Sequence, residues 1–275
     1  MAAAAEPAAE PAAREDALAR GVWPDVGTYG TNKMYYHHTF LPHSKQRTRA
    51  LAAIAAAQRE ESGIASKLVG EGGRDIYTFG VYTGASVKFW HERLPVVGMP
   101  YTTQWGFDSF EGLPEEADGC ELECKAWLPG AFSAADQFGT SSWAQCQAQL
   151  YAHVLGDGTA PDSAQRRKLQ FVKGFFSDSL TPGLVAERQM RPALLVDMDV
   201  DLYVSTKQAL TWAFDEGIIV PGTFVYYDDV GIVKADGGGE LRAHDEATLA
   251  YDVAWHRFSD DLWRVTSIGR PPVVA

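Results

Sequence analysis

The segment Val196-Asp-Met-Asp-Val-Asp-Leu-Tyr203 places carboxylates at alternate positions. In an extended strand alternate side chains share a face, so Asp197, Asp199 and Asp201 point the same way. Bare charges at that spacing are not buried together; a positive partner, most simply a metal ion, relieves the repulsion. A second β-rich run, Tyr226-Tyr-Asp-Asp-Val230, adds Asp228 and Asp229. An all-oxygen set of Asp199, Asp228 and Asp229 suits Mg²⁺ better than zinc. A solvated acidic loop end, holding no ion, is the plain alternative.

Two other segments suit the binding of a nucleoside-bearing cofactor. Phe79-Gly-Val-Tyr-Thr-Gly84 follows a β-rich run, and glycines there permit a tight turn and close approach of a ligand to the backbone. An ordinary strand-to-helix turn needs the same glycines. Trp105-Gly-Phe-Asp-Ser109 ends a further run, with Asp108 about 28 residues beyond Gly80, in the region where an acid accepts ribose hydroxyls. A helix N-cap would use Asp108 equally well. A Walker-type phosphate loop, a nicotinamide-type Gly-x-Gly-x-x-Gly and a Gly-x-Ser-x-Gly elbow are all missing.

These segments need elements to position them, and the chain alternates the required patterns. Strands are expected over Asp75–Val81, Thr103–Asp108, Leu169–Phe176, Ala193–Val200 and Thr223–Val230. Helices are expected over Lys45–Arg59, Ala85–Arg93, Ser142–Val154, near Pro182–Arg188, over Ser205–Glu216 and across Glu240–Trp255. Runs near His256–Phe258 and Trp263–Ile268 are expected to pair as an antiparallel edge. The alternation predicts an α/β fold, a doubly wound, mostly parallel seven-stranded sheet covered on both faces. In such a sheet the ligand crevice lies beyond the carboxyl ends of the strands, where every acidic and glycine segment above falls.

Composition excludes several roles. A chain of 275 residues with net charge −12 lacks the clustered cations of a nucleic-acid binder. No apolar run approaches membrane-spanning length. Cys120, Cys124 and Cys146 are too few for a disulfide scaffold, and a reducing, cytoplasmic setting and free thiols are expected, with organelle targeting an open alternative. Residues 1–22 read as a disordered Ala/Pro-rich tail, followed by a single domain over 23–275. Within it, 23–70 is expected to form an N-terminal helical cap and 110–168 a lid-like insertion. The adjacent His37 and His38 are open to a structural role or a substrate contact; His153, His244 and His256 show no partner pattern.

In combination, Phe79–Gly84, Gly106-Phe-Asp-Ser-Phe-Glu-Gly-Leu-Pro114, Phe171–Phe176, Asp199-Val-Asp-Leu-Tyr-Val-Ser-Thr206 and Pro221–Asp229 resemble the macrocin-type sugar O-methyltransferases, class I S-adenosylmethionine enzymes. The resemblance implies a Rossmann-like methyltransferase fold and methyl transfer to a hydroxyl of a small molecule, a sugar or another vicinal diol. It implies that Gly80 and Gly84 cradle the methionine part of S-adenosylmethionine, with Val81, Ala85, Ser86 and Ser109 also among the cofactor-binding residues. Asp108 would hold the ribose, and Phe175 would pack on adenine. Asp199, Asp228 and Asp229 would hold Mg²⁺, with Asp201 as general base. Neither nucleic acid nor membrane is implied as a partner; assembly with further copies of the chain stays open. Thr78 stands where the family usually has an acid that helps hold the cofactor. A metal-independent methyltransferase and a cofactor-binding protein without catalysis are the remaining alternatives.

Overall fold

The computed structural model describes residues 43–60, 73–120, 127–160, 162–230 and 239–269. The expectations for residues 1–22, for His37 and His38, and for Cys124 lie outside the described residues.

The strands are β1 (Asp75–Phe79), β2 (Gln104–Asp108), β3 (Leu169–Lys173), β4 (Ala193–Met198), β5 (Phe224–Tyr227), β6 (Val253–Arg257) and β7 (Leu262–Ile268). They form a seven-stranded sheet in the order β3-β2-β1-β4-β5-β7-β6. Strands β1 to β5 pair in parallel, and β7 runs antiparallel to both β5 and β6. The mostly parallel α/β sheet with an antiparallel strand at one side is therefore present, with β6 outermost. Residues of β1 and β4 are buried without alternation, as expected of parallel strands covered on both faces.

The helices among the described residues are α1 (His43–Glu60), α2 (Ala85–Arg93), α3 (Ala134–Phe138), α4 (Trp143–Leu155), α5 (Ala164–Arg167), α6 (Phe176–Ser179), α7 (Leu184–Arg188), α8 (Tyr203–Asp215) and α9 (Gly239–Tyr251). Helix α9 stops four residues before the expected Trp255, and β6 begins inside the expected helix. Asp252 takes a left-handed conformation (φ 52°) that breaks the helix, and Gly269 donates to its carbonyl. Trp255 and His256 then pair with β7, so sheet pairing overrides helical periodicity there.

The described helices of 110–168 pack against α2, the turn after β1 and strand β3. Helices α3 and α4 bury Ala134, Cys146, Leu150, Tyr151 and Val154 together with Val81, Val87, Phe110 and Leu169. Both described cysteines, Cys120 and Cys146, are free and buried.

His244 is a core residue. Its Nδ1 lies 3.0 Å from the Tyr227 hydroxyl, and its ring sits 4.7 Å from those of Trp255 and Trp263. Burial, then the nearby Arg257 charge, pulls its pKa down to about 4. The folded value is below the unfolded one. The neutral ring therefore favours folding fully above pH ~6.5, and that contribution, about 3 kcal/mol, is lost as pH falls towards 4. The Tm gap between wild type and His244→Phe is expected to shrink across that interval. A pH-independent gap in thermal melts would contradict it.

Candidate active site

Because β1 to β5 are parallel, their carboxyl ends share one rim of the sheet. The turn after β1 meets the end of β4 there. Gly80 has φ 84°, and a Cβ on it would lie 1.7 Å from the Asp199 carbonyl oxygen. Gly80 is thus required for backbone-to-backbone contact between the two strand ends, and this contact fixes where Asp199 starts. At the other end of the turn, Gly84 (φ 91°) leads into α2 and faces Val154 and Leu150 of α4. Val81 and Ser86 are buried beside it, while Ala85 is exposed.

Asp108 closes the turn from β2. Its Oδ2 accepts the backbone N–H groups of Val81 (2.7 Å) and Tyr82 (2.8 Å), and its Oδ1 accepts that of Phe110. Burial raises its pKa, and these amides oppose the shift. Ser109 Oγ accepts from Glu111 N and donates to the Gly112 carbonyl, which tightens the following turn. A cavity of about 580 Å³ opens beside it, lined in part by Phe110, Ser133, Trp143, Cys146 and Lys173. The Phe110 and Trp143 rings lie 4.6 Å apart, and Lys173 pairs with Glu111 at 2.6 Å. Phe175 sits half-buried just before α6; it is the adjacent Phe176 that packs edge-on against Phe79.

The acidic residues do converge. Asp199, Asp228 and Asp229 each offer a carboxylate oxygen, and these lie within 4.8 Å of one another. The positive partner inside the structure is a residue the sequence reading did not single out. Arg47, whose side chain is 7% exposed, reaches in from α1. Its Nη2 lies 2.6 Å from Asp199 Oδ2 and 3.2 Å from Asp228 Oδ1, and its Nε lies 3.9 Å from Asp197 Oδ1. Burial opposes the guanidinium charge, and Asp199, Asp197 and Asp228 more than restore it. Tyr226 donates to Asp228 Oδ1 at 2.9 Å, and Arg47 lies over the Tyr226 ring. The signal was present in the sequence: Arg47, Ala50, Leu51 and Ile54 fall on one helical stripe, and all four are buried.

Asp197 is wholly buried, and burial pushes it up to about 7 against the pull of Arg47. Thr78 pairs with it across the sheet. Thr78 and Trp90 lie near enough to favour its charged form, although neither makes a hydrogen bond of normal geometry. Alternation thus holds as far as Asp199, which shares Arg47 with Asp197. Asp201 departs from it: a left-handed conformation (φ 60°) turns the chain, and the Trp127 indole donates to its Oδ1 at 2.6 Å.

Burial, then the charges of Asp201 and Asp228, raises Asp229, whose protonated form a hydrogen bond with Asp201 also favours. The Asp229 backbone N–H donates to Glu240 Oε2, while Glu240 Oε1 is buried without a hydrogen-bond partner. Burial raises Glu240 too. Glu240 follows a glycine run, and nothing in its local sequence marks it as part of the rim. Trp127 was equally unmarked. Glu116 caps the start of α8, where its carboxylate accepts the N–H groups of Tyr203 (2.7 Å) and Val204 (2.9 Å).

Among the described residues no helix is long and apolar enough to cross a membrane. The fold is shared with solved structures. A calicheamicin methyltransferase, CalS11, superposes with TM-score 0.50 at 19% identity, over 88% of this chain and 99% of that one. The O-methyltransferase NovP superposes with TM-score 0.50 at 20% identity, over 79% of each chain. Among curated proteins none matches. The model of the macrocin-O-methyltransferase family (TylF) matches residues 61–238, more than half of the chain and every strand end from the glycine turn to Asp229, so the chain belongs to that family of S-adenosylmethionine-dependent O-methyltransferases.

Proposed function

We propose that the chain methylates a hydroxyl of a small molecule in a Mg²⁺-dependent reaction, with a sugar or another vicinal diol as acceptor. The observation that carries this reading is the convergence of Asp199, Asp228 and Asp229 at the rim that also holds the glycine turn. The donor set fits the ion. Mg²⁺–oxygen distances of about 2.1 Å put opposite ligands about 4.2 Å apart, so a span within 4.8 Å needs only small side-chain adjustments. The turn around Gly80, Gly84 and Asp108 would hold S-adenosylmethionine; the cavity of about 580 Å³ begins at Phe110, next along the chain from these residues, and none of them lines it.

Mg²⁺ would be held by Asp199, Asp228 and Asp229 and would supply Lewis acidity that lowers the pKa of the acceptor hydroxyl. Asp201 accepts the hydroxyl proton, with Trp127 holding one of its oxygens. Residues 80–86 and 108–109 would hold the methyl donor in line with the acceptor oxygen, and that alignment would supply much of the rate. The described residues of 110–168 would shield the reacting groups from water as a lid; Glu116 accepts the N–H groups that begin α8, and Trp127 donates to Asp201.

Calorimetry with S-adenosylmethionine, followed by turnover of diol acceptors with EDTA and then excess Mg²⁺, tests the reading. Saturable cofactor binding and activity that is lost in EDTA and restored by Mg²⁺ are expected. Full activity in EDTA overturns the metal role. It would favour a metal-independent transferase, a reading to which Arg47 lends support, since it already neutralises part of the cluster.

A further inference from the structure

The acidic rim carries its own cation, and that cation lies outside the residues matched to the family, on the helix that precedes them. Arg47 bridges two of the three carboxylates that would hold a divalent ion. Its Nε lies 3.9 Å from the fully buried Asp197, an ion pair without a hydrogen bond. The short contacts of the guanidinium are made by a single nitrogen, Nη2, aimed at both Asp199 and Asp228.

We propose that Arg47 is the resident counter-cation of the centre: it holds Asp199 and Asp228 together when no divalent ion is bound, and it competes with that ion for the same two carboxylates. The inference rests on the metal reading above. Its physical basis is the arrangement of charge. A guanidinium within hydrogen-bond distance of two ligands does two things at once. It removes their mutual repulsion, so the loop ends stay assembled without metal. It also repels a divalent ion that shares them, and its planar, permanently charged fork cannot be relieved by proton loss. Arg47 would therefore act as a positioning residue that keeps the ion exchangeable.

The test uses the full chain, without acceptor, and Mn²⁺ as the probe, followed by electron paramagnetic resonance and calorimetry. Arg47→Met is expected to lower Tm in EDTA, to bind Mn²⁺ about tenfold more tightly than wild type, and to gain a larger Tm rise on Mn²⁺ addition. Arg47→Lys, which keeps the charge without the fork, is expected to fall between them. If Arg47→Met does not fold, the double variant Arg47→Met/Asp197→Asn removes the buried partner as well and is read in the same way. Mn²⁺ affinity equal to or weaker than wild type in the variant that folds overturns the proposal. Absence of Mn²⁺ binding by wild type overturns the metal reading instead; an Arg47→Met protein that then gains Mn²⁺ binding sustains the competition, and one that does not overturns it too.

Discussion

Replacing Asp201 by asparagine is expected to lower turnover by about 10²–10⁴-fold, the range set by loss of a general base. The substitution suits the site. Asparagine tolerates the left-handed backbone that Asp201 adopts, at φ 60°, and its side-chain oxygen still accepts from the Trp127 indole. What it loses is the ability to take a proton. The negative charge that raises Asp229 also disappears, which eases ionisation of that ligand and offsets the lost attraction for a cation, so metal binding is expected to persist. Single-turnover methyl transfer, measured with the cofactor and Mn²⁺ affinities of the same preparation, checks this. Unchanged turnover would remove Asp201 from the chemistry. A parallel loss of Mn²⁺ affinity would make it a ligand.

The second large effect belongs to Gly80. Gly80→Ala would place a methyl group 1.7 Å from the Asp199 carbonyl oxygen, on a backbone at φ 84°. Neither strand end can retreat cheaply, because Gly80 N donates to the Phe107 carbonyl and Asp199 N donates to that of Phe79. A cost of about 4 kcal/mol or more is expected, at the extreme of single substitutions. Urea unfolding measures it. The same variant is expected to lose Mn²⁺ affinity even where it folds, because β1 pushes directly on the residue that begins the acidic loop. A stable variant with normal metal binding would show that the contact between the two turns does not set the ligand geometry.

These two residues also mark how far the sequence could be read. Gly80 was visible as a turn glycine, but its reason was not: the atom it makes room for belongs to Asp199, just beyond β4 and far along the chain. The Asp199, Asp228 and Asp229 set was legible because parallel strands place consecutive loop ends on one rim, a rule of topology that needs no coordinates. The helix over Ala85–Arg93 was legible to its ends. Asp201 was assigned to the same face as its neighbours, and only a single positive φ moves it away.

Arg47 illustrates the other kind of gap. The sequence predicts only a helix over Lys45–Arg59, and what a buried arginine on it does is intelligible only once its three acidic partners, remote in sequence, are known. Glu240 and Trp127 were hidden for a similar reason, since tertiary contact alone defines their roles. Thr78 was noted as a departure from the family. It lies beside Asp197, where a second acid would have added a charge next to one already hard to accommodate.

The order of the sheet has a kinetic consequence. Strand β1 hydrogen-bonds β4 across the whole of β2, β3 and the long segment between them, whereas β4, α8 and β5 follow one another directly. Loop closure of that length is entropically costly and tends to come late. A full-length chain refolding from denaturant can thus assemble the β4–β5 half, with its aspartates in place, well before the β1 turn seats against it. Refolding should therefore recover most far-ultraviolet signal in an early phase, and ligand-binding competence only with the slow docking of the two halves.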